Sequence, residues 1–164
     1  MRNNKVVLLG EGATEKKVLK ALNIIGEFKP FNIWQKDIIK LLPSLGRKAD
    51  LWFYVDTDKS DNLTEFQRFS DNIDTLKNSK VTFKIYLQVK HLEDELERAC
   101  VKCIYLGFSV KKGSSELKKK IMECSNLEPK LSELQIDKAK LWQQVHGKCD
   151  AIVEAYRWPK IKKQ

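Results

Sequence analysis

Lys5–Gly10, "KVVLLG", is an unbroken apolar run closed by glycine, the pattern of a short strand covered on both faces in a parallel sheet. Val18, Leu19, Leu22 and Ile25 then recur at helical spacing up to Gly26, with Thr14 placed to cap that helix. "FKPFNIW" reads as a second strand, and "QKDIIKLLPSLG" as a short helix closed by Pro43 and Gly46. "ADLWFYVDTD" is the clearest strand, aromatic and β-branched through Val55. A helix follows over Leu63–Leu76, where Phe66, Phe69, Ile73 and Leu76 fall on one face. "VTFKIYLQV" alternates as a strand, and "HLEDELERAC" turns helical with Leu92, Leu96 and Ala99 inward. A last strand is expected in "VKCIYLGF", a helix start at Ser114, and a long helical stretch from Lys130 to Tyr156.

Strand and helix alternate without an internal repeat or a linker. That pattern predicts a single α/β domain with a mainly parallel, Rossmann-like sheet flanked by helices. Its core would span about 5–110 and its helical extension about 111–164.

Composition sharpens this picture in two places. The 164 residues carry a formal net charge of +9, but unevenly. Residues 1–95 hold 16 basic and 14 acidic side chains, whereas 96–164 hold 15 and 8. Lys111, Lys112, Lys118, Lys119, Lys120 and the tail "RWPKIKKQ" supply much of the excess. A single basic run is usually a solvated helix face; several in one half, taken with an acidic cluster in the other, predict a nucleic-acid surface. No apolar run approaches membrane-spanning length, and "MRNNKVVLLGEG" breaks into Gly and Glu too soon for a signal peptide, so a cytoplasmic protein is expected. Cys100 and Cys103 form a C-x2-C pair with no matching second pair, so the four cysteines read as reduced thiols rather than a zinc site.

The candidate chemistry lies in three acidic stations. Glu11 and Glu15 follow the first strand, Asp56 and Asp58 end the "LWFYV" strand, and Glu93, Asp94 and Glu95 follow "KIYLQV". Ligands of open parallel sheets bind outside the carboxyl ends of the strands, so three strands deliver carboxylates to one edge. Clustered carboxylates repel unless they protonate or share cations, and hard oxygen donors suit Mg²⁺ or Mn²⁺. Each station also has a plainer role. Glu15, Glu93 and Asp94 can serve helix N-termini, and Asp58 a turn. Other phosphate sites fit worse. Gly10 and Gly12 begin a dinucleotide fingerprint, but Glu15 stands where its third glycine belongs, and a P-loop's GK[ST] ending is missing. A response-regulator receiver domain would put its acidic pair on the first strand. His91 and His146 fit surface or core positions as well as catalytic ones.

The order "strand–E-G-x-T-E" and later "strand–D-x-D" resembles the TOPRIM domain of topoisomerases, primases and OLD-family nucleases. "EGATE" with "HLEDEL" is most similar to OLD-like and small stand-alone TOPRIM proteins, over roughly Lys5 to Cys100. The resemblance implies a Mg²⁺- or Mn²⁺-dependent nuclease in phage defence or a mobile element; its expected partner is nucleic acid, DNA ahead of RNA, though the residues themselves do not separate the two. It makes Glu11 the general acid or base and Glu15 the second acid of that turn. Asp56 and Asp58 become the metal pair, and Glu93 or Glu95 the third station. It also implies a lysine near the site, for which Lys138, Lys140 and Lys148 are candidates and Lys140 is carried forward. The chain departs from the pattern in lacking a glycine after D-x-D in "DTDKSDN". It is too short for the added domains of a topoisomerase or primase, so Tyr54, Tyr86, Tyr105 and Tyr156 read as packing or surface residues. The rival expectation is a non-catalytic TOPRIM-like binding module that works with a partner such as an ATPase.

Overall fold

A computed structural model describes residues 4–46, 48–113 and 115–160. Four strands, β1 (Lys5–Gly10), β2 (Glu27–Pro30), β3 (Ala49–Asp56) and β4 (Thr82–Gln88), form one sheet in the order β2-β1-β3-β4, with every pair parallel. The helices between them are α1 (Ala13–Ala21), the short α2 (Leu42–Leu45) and α3 (Leu63–Asn78). Beyond β4 come α4 (Leu92–Ala99), α5 (Ile104–Gly107), α6 (Glu116–Glu123), α7 (Leu127–Glu133) and α8 (Gly147–Val153). The chain runs from β1 outward to β2, then returns past β1 to build β3 and β4. The reversal opens a crevice between the carboxyl ends of β1 and β3, where sheets of this kind bind ligands.

Alternation along the strands sorts the core into two layers. Val7, Leu9, Leu51, Phe53, Val55, Ile85 and Leu87 pack with Phe69, Ile73 and Leu76 of α3 and with Cys149 and Val153 of α8. On the opposite face Leu8, Tyr54 and Tyr86 pack with Val18, Leu19 and Leu22 of α1 and Leu92 and Leu96 of α4. Tyr54 and Tyr86 stack at 4.6 Å, and Trp142 closes on both at 5.3 and 5.1 Å.

Three local expectations are corrected. The segment "VKCIYLGF" is no strand: Ile104–Gly107 is helical, and only Cys100 makes an isolated bridge, to Ile136. The stretch Lys130–Tyr156 is not one helix but α7, a 3₁₀ turn at Lys138–Lys140 and α8. Gln135 and Trp142 interrupt it with φ of 56° and 59°, a left-handed backbone that no α-helix contains. The first helix is capped at Gly12 rather than at Thr14, which is buried in its first turn. The helix start expected at Ser114 lies outside the described residues; α6 begins at Glu116.

The C-terminal segment closes the sheet's outer edge. The Ile85 amide donates to the Tyr156 carbonyl and the Trp158 amide to the Ile85 carbonyl, both at 2.8 Å, while Tyr156 stacks on Phe83. Arg157, expected as part of a basic tail, is only 2% exposed. It donates to Asp150 and to the carbonyls of Trp142, Gln144 and Trp158. Among the described residues no helix is long and apolar enough to cross a membrane.

Candidate metal centre

Asp56 is the last residue of β3, and its position is fixed from several sides. The indole of Trp34, fully buried and stacked on Phe69 at 4.5 Å, donates to the Asp56 carbonyl at 2.8 Å. Asn72 of α3 holds the loop that carries Trp34, accepting from the Ile38 amide and donating to the carbonyls of Ile33 and Lys36. One residue beyond Asp56, the Thr57 amide donates to the Gln88 carbonyl, and its hydroxyl accepts from the Lys90 amide. These bonds join the loops after β3 and β4, and so set Asp56 and Asp58 against His91.

His91 caps α4 in an extended conformation, and its Nδ1 lies 3.6 Å from Asp56 Oδ2. Donor atoms of Asp56, Asp58 and His91 all lie within 4.8 Å of one another. The side chain of Asp56 is 13% exposed, against 26% for Asp58 and 50% for His91. Its Oδ1 is buried without a hydrogen-bond partner among the described residues. Burial, followed by the charges of Glu15, Glu11, Asp58 and Glu93, pushes its carboxyl up to about 9. Four acids from three strand ends therefore act on the Asp56 carboxyl.

The first station divides its labour. Glu15 is buried, and its Oε2 accepts from the Gly12 amide at 3.1 Å, which serves the N-terminus of α1. Burial nonetheless raises its pKa, against the lowering effects of backbone bonds and Lys118. Gly10 makes room for it, since a Cβ there would lie 3.3 Å from the Glu15 Cβ. Glu11 reaches the surface. Partial desolvation, then Asp58 and Glu15, raise its pKa, while Lys59 and Lys118 oppose them. Among the described residues Glu11 makes no ion pair within 4 Å, whereas Asp58 has Lys59 at 3.7 Å.

At the third station Glu93 and Glu95 part company. Glu93 faces the cluster and acts on both Asp56 and Glu15. Asp94 accepts from the His91 amide at 3.2 Å. Glu95 is fully buried on the other side of α4, accepting from Arg98, the Val89 amide and the Trp142 amide. Its expected place at a metal is corrected to one in the core.

The lysines also redistribute. Lys138 donates to the Leu22 carbonyl at the far end of α1 from Glu11, and Lys140 closes that same turn. The lysine carried as Lys140 is therefore not brought to the acids. Lys148 pairs with Asp61 at 3.1 Å, and beside it His146 Nε2 lies 3.2 Å from Ser60 Oγ, both just beyond Asp58. Lys118, on α6 beside α1, is the lysine that acts on Glu11 and Glu15. Lys112 pairs with Glu97, and Lys119 and Lys120 with Glu123, while Lys111 is exposed.

His91 is the residue that sequence reasoning did not assign. Its signal was its position: the residue between a strand's carboxyl end and the helix that follows lies at the same edge as the acids. The donor set is chemically coherent, because two carboxylates and an imidazole suit a divalent ion such as Mn²⁺. Comparisons with protein-family models, with curated proteins and with solved structures find no match to this chain.

Proposed function

We propose that the chain is a divalent-metal-dependent nuclease of TOPRIM type, hydrolysing phosphodiester bonds of nucleic acid, DNA in preference to RNA. The observation that carries this reading is Asp56, whose buried oxygen lacks a partner while four other acids crowd it at the sheet's switch point. A carboxylate in that position is costly unless a cation shares it. Asp56, Asp58 and His91 would hold the ion, and the imidazole favours Mn²⁺ over Mg²⁺. The ion, when bound, would polarise the phosphodiester and lower the pKa of water.

The chain's own residues supply the rest. Glu11 is accessible, and burial followed by Asp58 and Glu15 raises its pKa, which suits it to exchange a proton with the leaving oxygen. Lys59 and Lys118 bring positive charge beside Glu11, where phosphate oxygens would bind. Lys111, Lys112, Lys119 and Lys120 lie on the surface and grip the backbone without reading sequence, so binding weakens with salt.

The test incubates plasmid and single-stranded DNA with the protein and Mn²⁺ or Mg²⁺, beside Glu11→Gln and Asp56→Asn. Cleavage by the wild type and a fall of about 100-fold or more in each variant are expected. No cleavage by the wild type, or undiminished cleavage by the variants, rejects the nuclease. Mn²⁺ binding without cleavage would favour the binding module that acts with a partner.

A further inference from the structure

Gln88 is the last residue of β4 and pairs in register with Asp56. Neighbouring residues of paired strands project to the same face, about 5 Å apart. Gln88 is 1% exposed, and its Oε1 is buried without a hydrogen-bond partner among the described residues. Two adjacent strand ends, paired in register, thus each carry a buried oxygen without a hydrogen-bond partner among the described residues, Asp56 Oδ1 and Gln88 Oε1.

The backbone does not explain the glutamine. Its carbonyl accepts from the Thr57 amide at 3.0 Å, a bond that any residue would make. Leucine or methionine would fill the same volume with no oxygen to satisfy, and core positions ordinarily take them. An amide oxygen is, however, a ready neutral ligand for a hard divalent ion, which takes about six donors. Asp56, Asp58 and His91 supply only three.

We propose that Gln88 is a further ligand of the divalent-cation site, giving Oε1 to the ion beside Asp56. This rests on reading the Asp56–Asp58–His91 cluster as a cation site, and it adds a residue from a fourth position. The neutral donor lets the site gain a ligand without adding a sixth negative charge to a crevice that already repels its own.

The experiment titrates the full chain with Mn²⁺ by calorimetry, for wild type, Gln88→Leu, Gln88→Met and Gln88→Glu, and melts each protein with chelator. As a ligand, Gln88 predicts Mn²⁺ affinity about tenfold lower in the leucine and methionine variants and retained in Gln88→Glu. It also predicts that both apolar variants melt higher than wild type without metal, because an unsatisfied buried oxygen has been removed. A structural hydrogen-bonding role predicts the opposite sign for melting. Unchanged Mn²⁺ affinity in Gln88→Leu and Gln88→Met, or melting below wild type with chelator, overturns the proposal while leaving the cation site standing. A wild type that binds no Mn²⁺ removes both.

Discussion

Asp56 and Glu95 are both carboxylates withdrawn from water, and their surroundings could hardly differ more. Glu95 is sealed in the interior, yet both its oxygens are taken, by two backbone amides and by Arg98 at 2.5 Å. Asp56 keeps a little exposure but has one oxygen without a partner and four like charges around it. Burial alone therefore does not mark a functional acid in this protein. What sets Asp56 apart is a deficit of donors at a place where the fold converges further acids. Glu95 ties α4 to the segment that begins at Trp142, whereas Asp56 ends β3 with an oxygen that no donor among the described residues satisfies.

That contrast can be broken by mutation. The largest effect is expected at Glu95: Glu95→Ala strands Arg98 and two amides, and should lower unfolding free energy by about 3–5 kcal/mol in denaturant titration. A loss within experimental error would mean that Glu95 is no more structural than Asp56. Asp56→Asn should act with the opposite sign in the metal-free protein. It should gain about 1–3 kcal/mol, because a buried group that resists ionisation has been removed, and it should abolish stabilisation by Mn²⁺. A destabilised Asp56→Asn would place Asp56 in the same class as Glu95.

Taken per pH unit, the smallest expected effect is a slope with pH. A carboxyl raised to about 9 in the folded state binds a proton that the unfolded chain has lost above its ordinary value near 4. Its contribution to stability is complete below pH 4 and drains away as pH rises towards 9, by at most about 1.4 kcal/mol per pH unit. Melting with chelator should therefore fall across this window. Mn²⁺ bound at Asp56 would displace that proton, so its apparent affinity should climb over the same range. Asp56→Asn should flatten both trends, and a wild type whose chelated melting rises from pH 5 to 8 would contradict the assignment.

Much of this was legible in the residues. An apolar run that ends in an acid locates that acid at a strand's carboxyl edge once the sheet is parallel, and Glu11 and Asp56 follow from this alone. Helical geometry held a further signal in α4. Glu95 falls three residues after Leu92 and one before Leu96, on the buried stripe, whereas Glu93 is turned away from it. The same periodicity that named the inward leucines separates the two glutamates. Other features were not readable. Gln135 and Trp142 adopt left-handed backbone without being glycine or asparagine, so no composition signal interrupts the helical look of Lys130–Tyr156. The β-branched and aromatic letters of "VKCIYLGF" favour a strand, but only Cys100 finds a bridge partner, and Ile104 and Tyr105 bury themselves from a helical turn instead. Arg157 resembles every other basic residue of the tail until Asp150 and three carbonyls surround it.

The way Tyr156 and Trp158 lie along β4 has a bearing on how copies of this chain behave in a crowded solution. An outermost strand with bare amides and carbonyls is a template on which any extended peptide can crystallise a fibre. Here Ile85, near the middle of that strand, already has both groups engaged by the chain's own tail. The opposite margin, β2, is four residues long and stops at a proline. Neither flank therefore offers a stranger a long, uninterrupted run of free rungs.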